Sequence, residues 1–148
     1  MSRKKPSPVI KPKAGQNSTE EKCISVSFRF LSKNKARNFE FFGDKNRRQK
    51  SNALEQLFEF LQRLTSKTKL ESSRLARDRD CGFECIKAEN VNCTPHGYVL
   101  RADSSIFVFR FGDNGNGGDY RLLGFFEEET SVLYVIGFDF DYSAYRHD

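Results

Sequence analysis

The sequence predicts one α+β domain, in which helices pack on one face of an antiparallel sheet. Three observations indicate this class: an alternating apolar segment near the N-terminus, one amphipathic helical stripe after it, and a series of short strands joined by turn sequences. A chain of 148 residues with 37% hydrophobic residues can bury a core of its own. We expect this domain to span residues 21–148, behind an arm of residues 1–20.

The arm of residues 1–20 is predicted to be basic and disordered. Met1–Asn17 carries five basic residues, three prolines and no acidic residue, so it has too little apolar surface to offset the entropy lost on ordering. It lacks the apolar stretch of a secretory signal, and no run in the chain approaches the ~18 apolar residues of a spanning helix. We therefore expect a cytoplasmic protein with reduced thiols and no membrane partner.

The first strand is predicted at Cys23–Phe30, where Ile24, Val26, Phe28 and Phe30 alternate with small or polar residues. A loop then leads to a short phenylalanine-rich patch, which ends at a Gly-Asp pair. The patch comprises Phe39, Phe41 and Phe42.

The strongest helix signal lies in residues 47–65. Spacings of three and four predict that one apolar face packs on the sheet, formed by Ala53, Leu54, Leu57, Phe58, Leu61 and Leu64. Arg47, Arg48 and Lys50 occupy its first turns, where positive charge opposes the helix dipole at a cost of ~0.3–1 kcal/mol per charge. Either the helix begins later and these basic residues lie in the preceding loop, or they lie in the helix and bind an anionic partner.

Two residues are candidate N-caps for this helix, because a short side-chain oxygen can accept the free amides of the first turn. Asp44 is one candidate, and Ser51 is the alternative, which would place the basic run in the preceding loop.

A weaker second helix and a set of strands are predicted after residue 66. Lys67–Asp80 carries Leu70 and Leu75 among alternating charges, which is typical of a solvated helix. The candidate strands are Phe83–Ala88, Gly97–Leu100, Ser104–Phe111, Tyr120–Glu127 and Ser131–Asp139. The Gly- and Asn-rich residues 112–119 predict a hairpin loop rather than a phosphate-binding loop, because a strand and not a helix follows. Short connections favour an antiparallel meander.

Charge is unevenly distributed along the chain. The net charge is +10 over residues 1–50, +1 over residues 51–102 and −6 over residues 103–148. A basic first third is typical of proteins that bind RNA or DNA, although it also serves solubility alone. We expect phosphate contacts from Arg47, Arg48, Lys50 and Arg110.

The candidate catalytic residues lie on a late strand and at the end of the chain: Arg121, Tyr145, Arg146 and His147. Tyrosine and histidine can move protons, and arginine can stabilise negative charge that develops on a phosphate. Together they form a set suited to RNA cleavage without a cofactor. The alternative is that the last residues only pack or fray at the surface.

Zinc binding is an alternative hypothesis for a second cluster, made of Cys81, Cys85, Cys93 and His96. Three thiolates and one imidazole suit tetrahedral zinc. Neither half of the pattern is a Cys-x2-Cys pair, so ordinary thiols and a loop histidine are the preferred interpretation and no metal is expected.

Residues 106–145 carry a recognisable pattern. Phe-Val-Phe-Arg-Phe-Gly-Asp precedes a turn, Tyr120-Arg121-Leu-Leu-Gly-Phe-Phe precedes an acidic turn, and Val132-Leu-Tyr-Val-Ile-Gly-Phe leads to a closing Tyr145. This stretch resembles the RelE/ParE-like toxin superfamily. The resemblance implies a strand, one or two helices and an antiparallel meander. It also implies an endoribonuclease, often acting on ribosome-bound mRNA, with an antitoxin as its protein partner.

The resemblance assigns roles to individual positions. Arg121 matches the arginine that follows tyrosine in the family, Tyr145 matches the closing tyrosine, and Arg146 with His147 lies where some members carry catalytic residues. Asp139 and Asp141 depart from the basic pattern of ribonuclease members, because two carboxylates repel phosphate.

Three functions follow from the sequence as expectations. The first is a RelE-like domain that contacts RNA, as a metal-independent mRNA endoribonuclease. The second is a non-catalytic module on the same fold that binds nucleic acid or protein. The third is a small zinc-stabilised module.

Overall fold

The computed structural model describes residues 22–146, which form an α+β domain on a five-stranded sheet, so the predicted α+β class is confirmed. The strands are β1 (Ser25–Ser27), β2 (Phe83–Lys87), β3 (Ser105–Asp113), β4 (Asp119–Phe126) and β5 (Val132–Asp139). The helices are α1 (Arg47–Leu64) and α2 (Lys69–Ser73), with 3-10 turns at Lys35–Arg37, Phe39–Phe42 and Ala88–Asn90. The predicted arm lies outside the described residues, as does His147.

The strand order is β1-β5-β4-β3-β2, so the first strand pairs with the last. Strands β2 to β5 are antiparallel neighbours in chain order, whereas β1 runs parallel to β5 and makes the sheet mixed. The expectation of a wholly antiparallel sheet is therefore wrong at this edge. The chain leaves β1, crosses the sheet through α1 and α2, and re-enters at the opposite edge as β2.

Two predicted strands differ from the structure. The strand expected at Cys23–Phe30 is limited to the three residues of β1. The segment Gly97–Leu100 is irregular, because Gly97 has a φ of +79° and Val99 is 91% exposed, which leaves no alternating buried face. Instead, the amide of His96 donates a hydrogen bond of 3.0 Å to the carbonyl of Phe30, and this places the segment beside the end of β1.

Helix α1 begins at Arg47, with Asn46 as an N-cap that makes no side-chain hydrogen bond. Asp44 and Ser51 are therefore wrong as caps, and the basic run is the first turn of the helix rather than a loop. No acidic residue lies in that turn to complement the dipole.

The buried stripe of α1 is rotated from the one that the sequence predicts. Its buried residues are Ala53, Leu57, Phe60 and Leu64, and the Phe60 ring lies 6.0 Å from that of Phe109. Leu54 and Phe58 were expected in the core, but they are 44% and 66% exposed. This helix has enough apolar residues to form two apolar faces, and the face that carries Phe60 packs against the sheet.

Helix α2 is shorter than the predicted Lys67–Asp80. A capping box fixes its start: the Thr68 hydroxyl accepts from the amide of Glu71, and the Glu71 carboxylate accepts from the amide of Thr68. Within residues 22–146, no helix combines the length and the apolar character needed to cross a lipid bilayer.

Two apolar cores lie on the two sides of the sheet. The helix face, covered by α1, holds among others Phe60, Phe109, Leu122 and Phe138. The second face is covered by residues 88–104 and 141–146, and its core is Cys93, Ile106, Val108, Leu123, Phe125, Ile136 and Ala144.

Truncating either of two phenylalanines of α1 checks the orientation of this helix. We expect Phe60→Ala to lower the free energy of unfolding by about 3–5 kcal/mol, because it empties a fully buried site. Phe58→Ala removes the same atoms from an exposed position and should change it by no more than about 0.5 kcal/mol. Urea denaturation measures both, and equal losses would contradict this packing.

Candidate functional site

The candidate catalytic residue Arg121 lies on β4, in register with Arg110 on β3 and Asp139 on β5. Its guanidinium lies over the Tyr142 ring at 4.7 Å, and its Nη2 is 3.6 Å from Oδ2 of Asp119. The Arg121 side chain is 6% exposed. The same carboxylate oxygen lies 3.6 Å from Nε of Arg110, so one aspartate is shared by two arginines.

Tyr145, the second candidate catalytic residue, is half-buried and forms an isolated bridge with Val91. Its hydroxyl donates to Oε1 of Glu84 at 2.9 Å. Burial, followed by this hydrogen bond to a carboxylate, raises the pKa of Tyr145 well above its usual range. The phenol is therefore a neutral donor at physiological pH. Arg146 is exposed, and His147 lies outside the described residues.

A surface pocket of about 920 Å³ lies next to Tyr145 on the second face. Glu84 and Glu89 contribute two carboxylates to its lining, against one guanidinium from Arg146. This balance does not favour the approach of a phosphate.

The most deeply buried charges in the described structure are Arg37 and Asp139, which are 1% and 0% exposed. Nη1 of Arg37 lies 3.9 Å from Oδ1 of Asp139. The guanidinium also donates to the carbonyls of Asn92 and Ala36 at 2.7 and 3.1 Å, and to Oγ of Ser143 at 2.7 Å. A buried charge is tolerated when it is both paired and hydrogen-bonded, as here.

The carboxylate of Asp139 also organises the chain that follows β5. Its Oδ1 accepts from the amides of Asp141 and Ser143 at 3.3 and 3.1 Å. Asp139 is therefore a structural anchor, whereas Asp141 is exposed. The sequence offered no signal for Arg37, because a single arginine in a polar loop has no periodic context.

The four cysteines are free, and they do not converge with His96. Cys81 belongs to the core of the helix face and Cys93 to the core of the second face, so the sheet separates them. Among the described residues, no group of three or more His, Cys, Asp or Glu side chains could hold a metal ion. The structure therefore does not bring Cys81, Cys85, Cys93 and His96 together as the zinc alternative requires.

The predicted RNA-binding residues are divided between two sites. Arg47, Arg48 and Lys50 belong to the first turn of α1, which covers the helix face. Arg110 lies with Arg121 on the second face, two residues after the core residue Val108. The structure therefore does not bring the two predicted sets into one groove.

A groove of about 440 Å³ lies at the β1 edge of the sheet, where the two faces meet. Arg29, Lys33, Lys50 and His96 line it, and we call it the basic groove. These side chains come from the loop after β1, the first turn of α1 and the connection between β2 and β3. Glu40 is the one carboxylate among the described lining residues.

The cations of the basic groove differ from the six arginines of the described structure that pair with a carboxylate. Within residues 22–146, no carboxylate forms an ion pair with Arg29, Lys33 or Lys50. Elsewhere, six arginines each lie within 4 Å of a carboxylate: Arg37, Arg63, Arg77, Arg101, Arg110 and Arg121. Positive charge is therefore left unneutralised at the basic groove. Lys50 is among the residues predicted from the sequence, whereas Arg29 and Lys33 carry no signal in the sequence that predicts this role.

A second concavity, of about 670 Å³, adjoins the basic groove and shares Arg29 with it. It is lined by the rings of Phe30, Tyr98, Phe125 and Tyr134, and we call it the aromatic pocket. No pattern in the sequence predicts this pocket, because these four rings come from four separate segments of the chain.

Comparison with known proteins returned no matching family model, no matching curated protein and no matching solved structure. The resemblance to RelE/ParE-like toxins therefore stays a prediction.

Two aspartates of the β5 end test the role of the buried pair. We expect Asp139→Asn to destabilise the fold by about 3–5 kcal/mol, because it leaves the buried Arg37 charge uncompensated. Asp141→Asn removes the same charge from an exposed position and should cost about 0.5–1.5 kcal/mol through its hydrogen bonds to Ser143. Thermal or urea unfolding compares the two, and similar losses would argue against a special role for Asp139.

Thiol alkylation tests the placement of the cysteines. Burial raises the pKa of Cys81 to about 11 and that of Cys93 to about 12, so at pH 8 very little of either is the reactive thiolate. We expect iodoacetamide to modify the exposed Cys23 and Cys85 in folded protein, and the other two after denaturation. Mass spectrometry of the labelled peptides gives the order. Equal rates for all four would contradict this placement, whereas protection of Cys85 together with Cys81 and Cys93, relieved by a chelator, would favour the zinc site.

Proposed function

We propose that this domain binds RNA along the basic groove. The observation that carries the proposal is the convergence of Arg29, Lys33 and Lys50 on one concave surface, where no carboxylate of residues 22–146 pairs with them. Cations left unneutralised in a concavity attract polyanions, and their field is strongest in a groove with low-dielectric walls.

The first turn of α1 extends this positive surface. Arg47 lies three residues before Lys50 and therefore on a neighbouring part of the same helix surface, and Arg48 is also exposed. Three basic residues in a first turn disfavour the helix, by about 0.3–1 kcal/mol for each charge. A phosphate backbone bound there would remove this penalty.

An extended polyanion explains the arrangement better than a small anion does. The cations are spread over a groove and the adjoining helix turn, rather than focused on a single point. A phosphate backbone presents charges at regular intervals, and each contact with lysine or arginine releases a condensed counterion. The five basic residues within Met1–Asn17 add charge on the N-terminal side of β1 in the sequence.

Cleavage of RNA is the second candidate, and the resemblance to RelE/ParE-like toxins supports it. Arg110 and Arg121 stand side by side across β3 and β4, as a phosphate-stabilising pair would. However, Asp119 is shared by both guanidiniums, and the Tyr145 hydroxyl is engaged with Glu84. Binding without cleavage is therefore better supported. A cytoplasmic location, ribosome-bound mRNA as the substrate and an antitoxin as the protein partner are proposed only together with this second function.

Salt-dependent RNA binding tests the proposal. We expect a labelled RNA, offered as single strand and as duplex, to bind at low salt and to dissociate as salt rises. Replacing Arg29, Lys33 and Lys50 together by Ala should weaken binding and lower the log–log salt slope by about 2, at ~0.7 per phosphate contact on single strands. Fluorescence anisotropy across a salt series measures both.

The matched control removes three exposed basic residues far from the groove: Arg74, Arg79 and Lys87. This variant carries the same loss of net charge and should keep the wild-type slope. Absence of RNA binding at low salt, or equal losses in the two triple variants, would refute the proposal. Shortened RNA on a denaturing gel would favour the ribonuclease instead.

A further inference from the structure

We propose that the aromatic pocket stacks an unpaired nucleobase, so that the RNA taken by the basic groove is single-stranded. This inference rests on the proposed function and adds the substrate class. It is carried by the geometry of Tyr98 and by the charged residues that line the pocket.

The Tyr98 ring is partly open to solvent. It is stacked on Phe125, with a centroid distance of 4.8 Å and an interplanar angle of 25°, while 43% of the residue remains exposed. The tilted ring of Phe30 also packs against Tyr98, so the exposed part is the ring surface that Phe125 and Phe30 leave uncovered. A flat aromatic face open to solvent is the element on which single-stranded nucleic-acid binders stack bases.

The Tyr98 ring is held in a preformed platform. Phe125 is also stacked on Tyr134 at 5.4 Å, and the Phe30 ring lies 4.9 Å from Tyr98 and 5.1 Å from Tyr134. The Tyr134 hydroxyl donates to Glu127 at 3.3 Å, which holds one end of the platform. A fixed ring loses little conformational entropy when a base stacks on it.

Arg29 joins the phosphate site to the base site. Its guanidinium carbon lies 5.3 Å from the Phe30 ring centroid, and the side chain lines both the basic groove and the aromatic pocket. A phosphate held by Arg29 therefore brings its attached base toward Tyr98. The pocket, at about 670 Å³, has room for a base and its sugar.

The aromatic pocket also has acidic lining residues, Glu127 and Glu128. Its second arginine, Arg101, is paired with Asp103 at 3.2 Å, so Arg29 is the lining cation left to attract a backbone phosphate. Carboxylates accept hydrogen bonds from the exocyclic amino groups of bases, as aspartate and glutamate do with cytosine. Charge therefore orients the nucleotide with its phosphate toward the basic groove and its base edge toward the glutamates.

A base in a duplex cannot occupy this pocket, since both of its faces are already stacked and its edge is paired. Double-stranded RNA also presents a deep, narrow major groove that side chains do not enter. Duplex RNA is thus limited to the phosphate contacts of the basic groove.

Paired binding measurements on the full chain test the inference, with a single-stranded RNA and the duplex of the same sequence. We expect tighter binding of the single strand. Tyr98→Leu keeps an apolar side chain but removes the stacking face, and should weaken single-strand binding about 5- to 150-fold, the range for one lost base–aromatic stack. Duplex binding should be unchanged. A 2-aminopurine base in the single strand should be quenched on binding by wild type and less by this variant.

Two further ring substitutions guard against an effect of misfolding. Tyr98→Phe and Tyr98→Trp retain a stacking face and should bind the single strand like wild type or more tightly. Phe58→Leu, which changes an exposed aromatic residue on α1, should leave binding unchanged. Near-UV circular dichroism and the thermal midpoint verify that Tyr98→Leu is folded.

The outcomes separate the two proposals. Equal affinity for single strand and duplex, with Tyr98→Leu like wild type and the basic-groove triple variant weakened, refutes base stacking and leaves RNA binding intact. Loss of single-strand binding in Tyr98→Phe would also refute stacking, because that variant keeps the ring. Absence of any RNA binding refutes both proposals.

Discussion

The buried contact between Arg37 and Asp139 is the constraint on which the second face of the sheet depends. Arg37 contributes the largest fully buried side chain of the described structure, and it holds the two segments that cover the second face. It binds the carbonyl of Asn92 in the connection between β2 and β3, and Oγ of Ser143 after β5. Close packing follows from these bonds: a Cβ at Gly137 would come within 2.5 Å of Sγ of Cys93.

The shape of the proposed binding surface, the basic groove and the aromatic pocket, depends on this buried contact. With Asn92 fixed by Arg37, the chain continues through the buried Pro95 to His96, whose amide is bonded to Phe30. Tyr98 follows two residues later and stacks on Phe125. An exposed ring can serve as a rigid platform when the segment that carries it is anchored, and here the anchor is an ion pair on the interior side.

Local periodicity explains which parts of the fold the sequence predicts. Helix α1 and strands β2 to β5 were located because apolar spacing and turn residues are properties of short windows. The predicted buried face of α1 was wrong. Leu54 and Phe58 are as apolar as Phe60, and only packing against the sheet determines which of them is buried. Arg37, Arg29 and Tyr98 carry no periodic signal. Their roles arise where segments distant in the chain meet, so the sequence pattern could not find the basic groove or the aromatic pocket.

The position of β1 constrains how the chain can fold. Ser25 pairs with Val132, so the first strand completes the sheet beside the last one. Pairing these two residues closes a loop that contains both helices and strands β2 to β4. Closing a long loop costs conformational entropy, and contacts between residues so distant in the sequence slow folding. During synthesis β1 leaves the ribosome well before β5, so β1 cannot pair with its neighbour in the sheet until that last strand is made. The β1 edge, where the basic groove lies, is thus among the last parts of the domain to form.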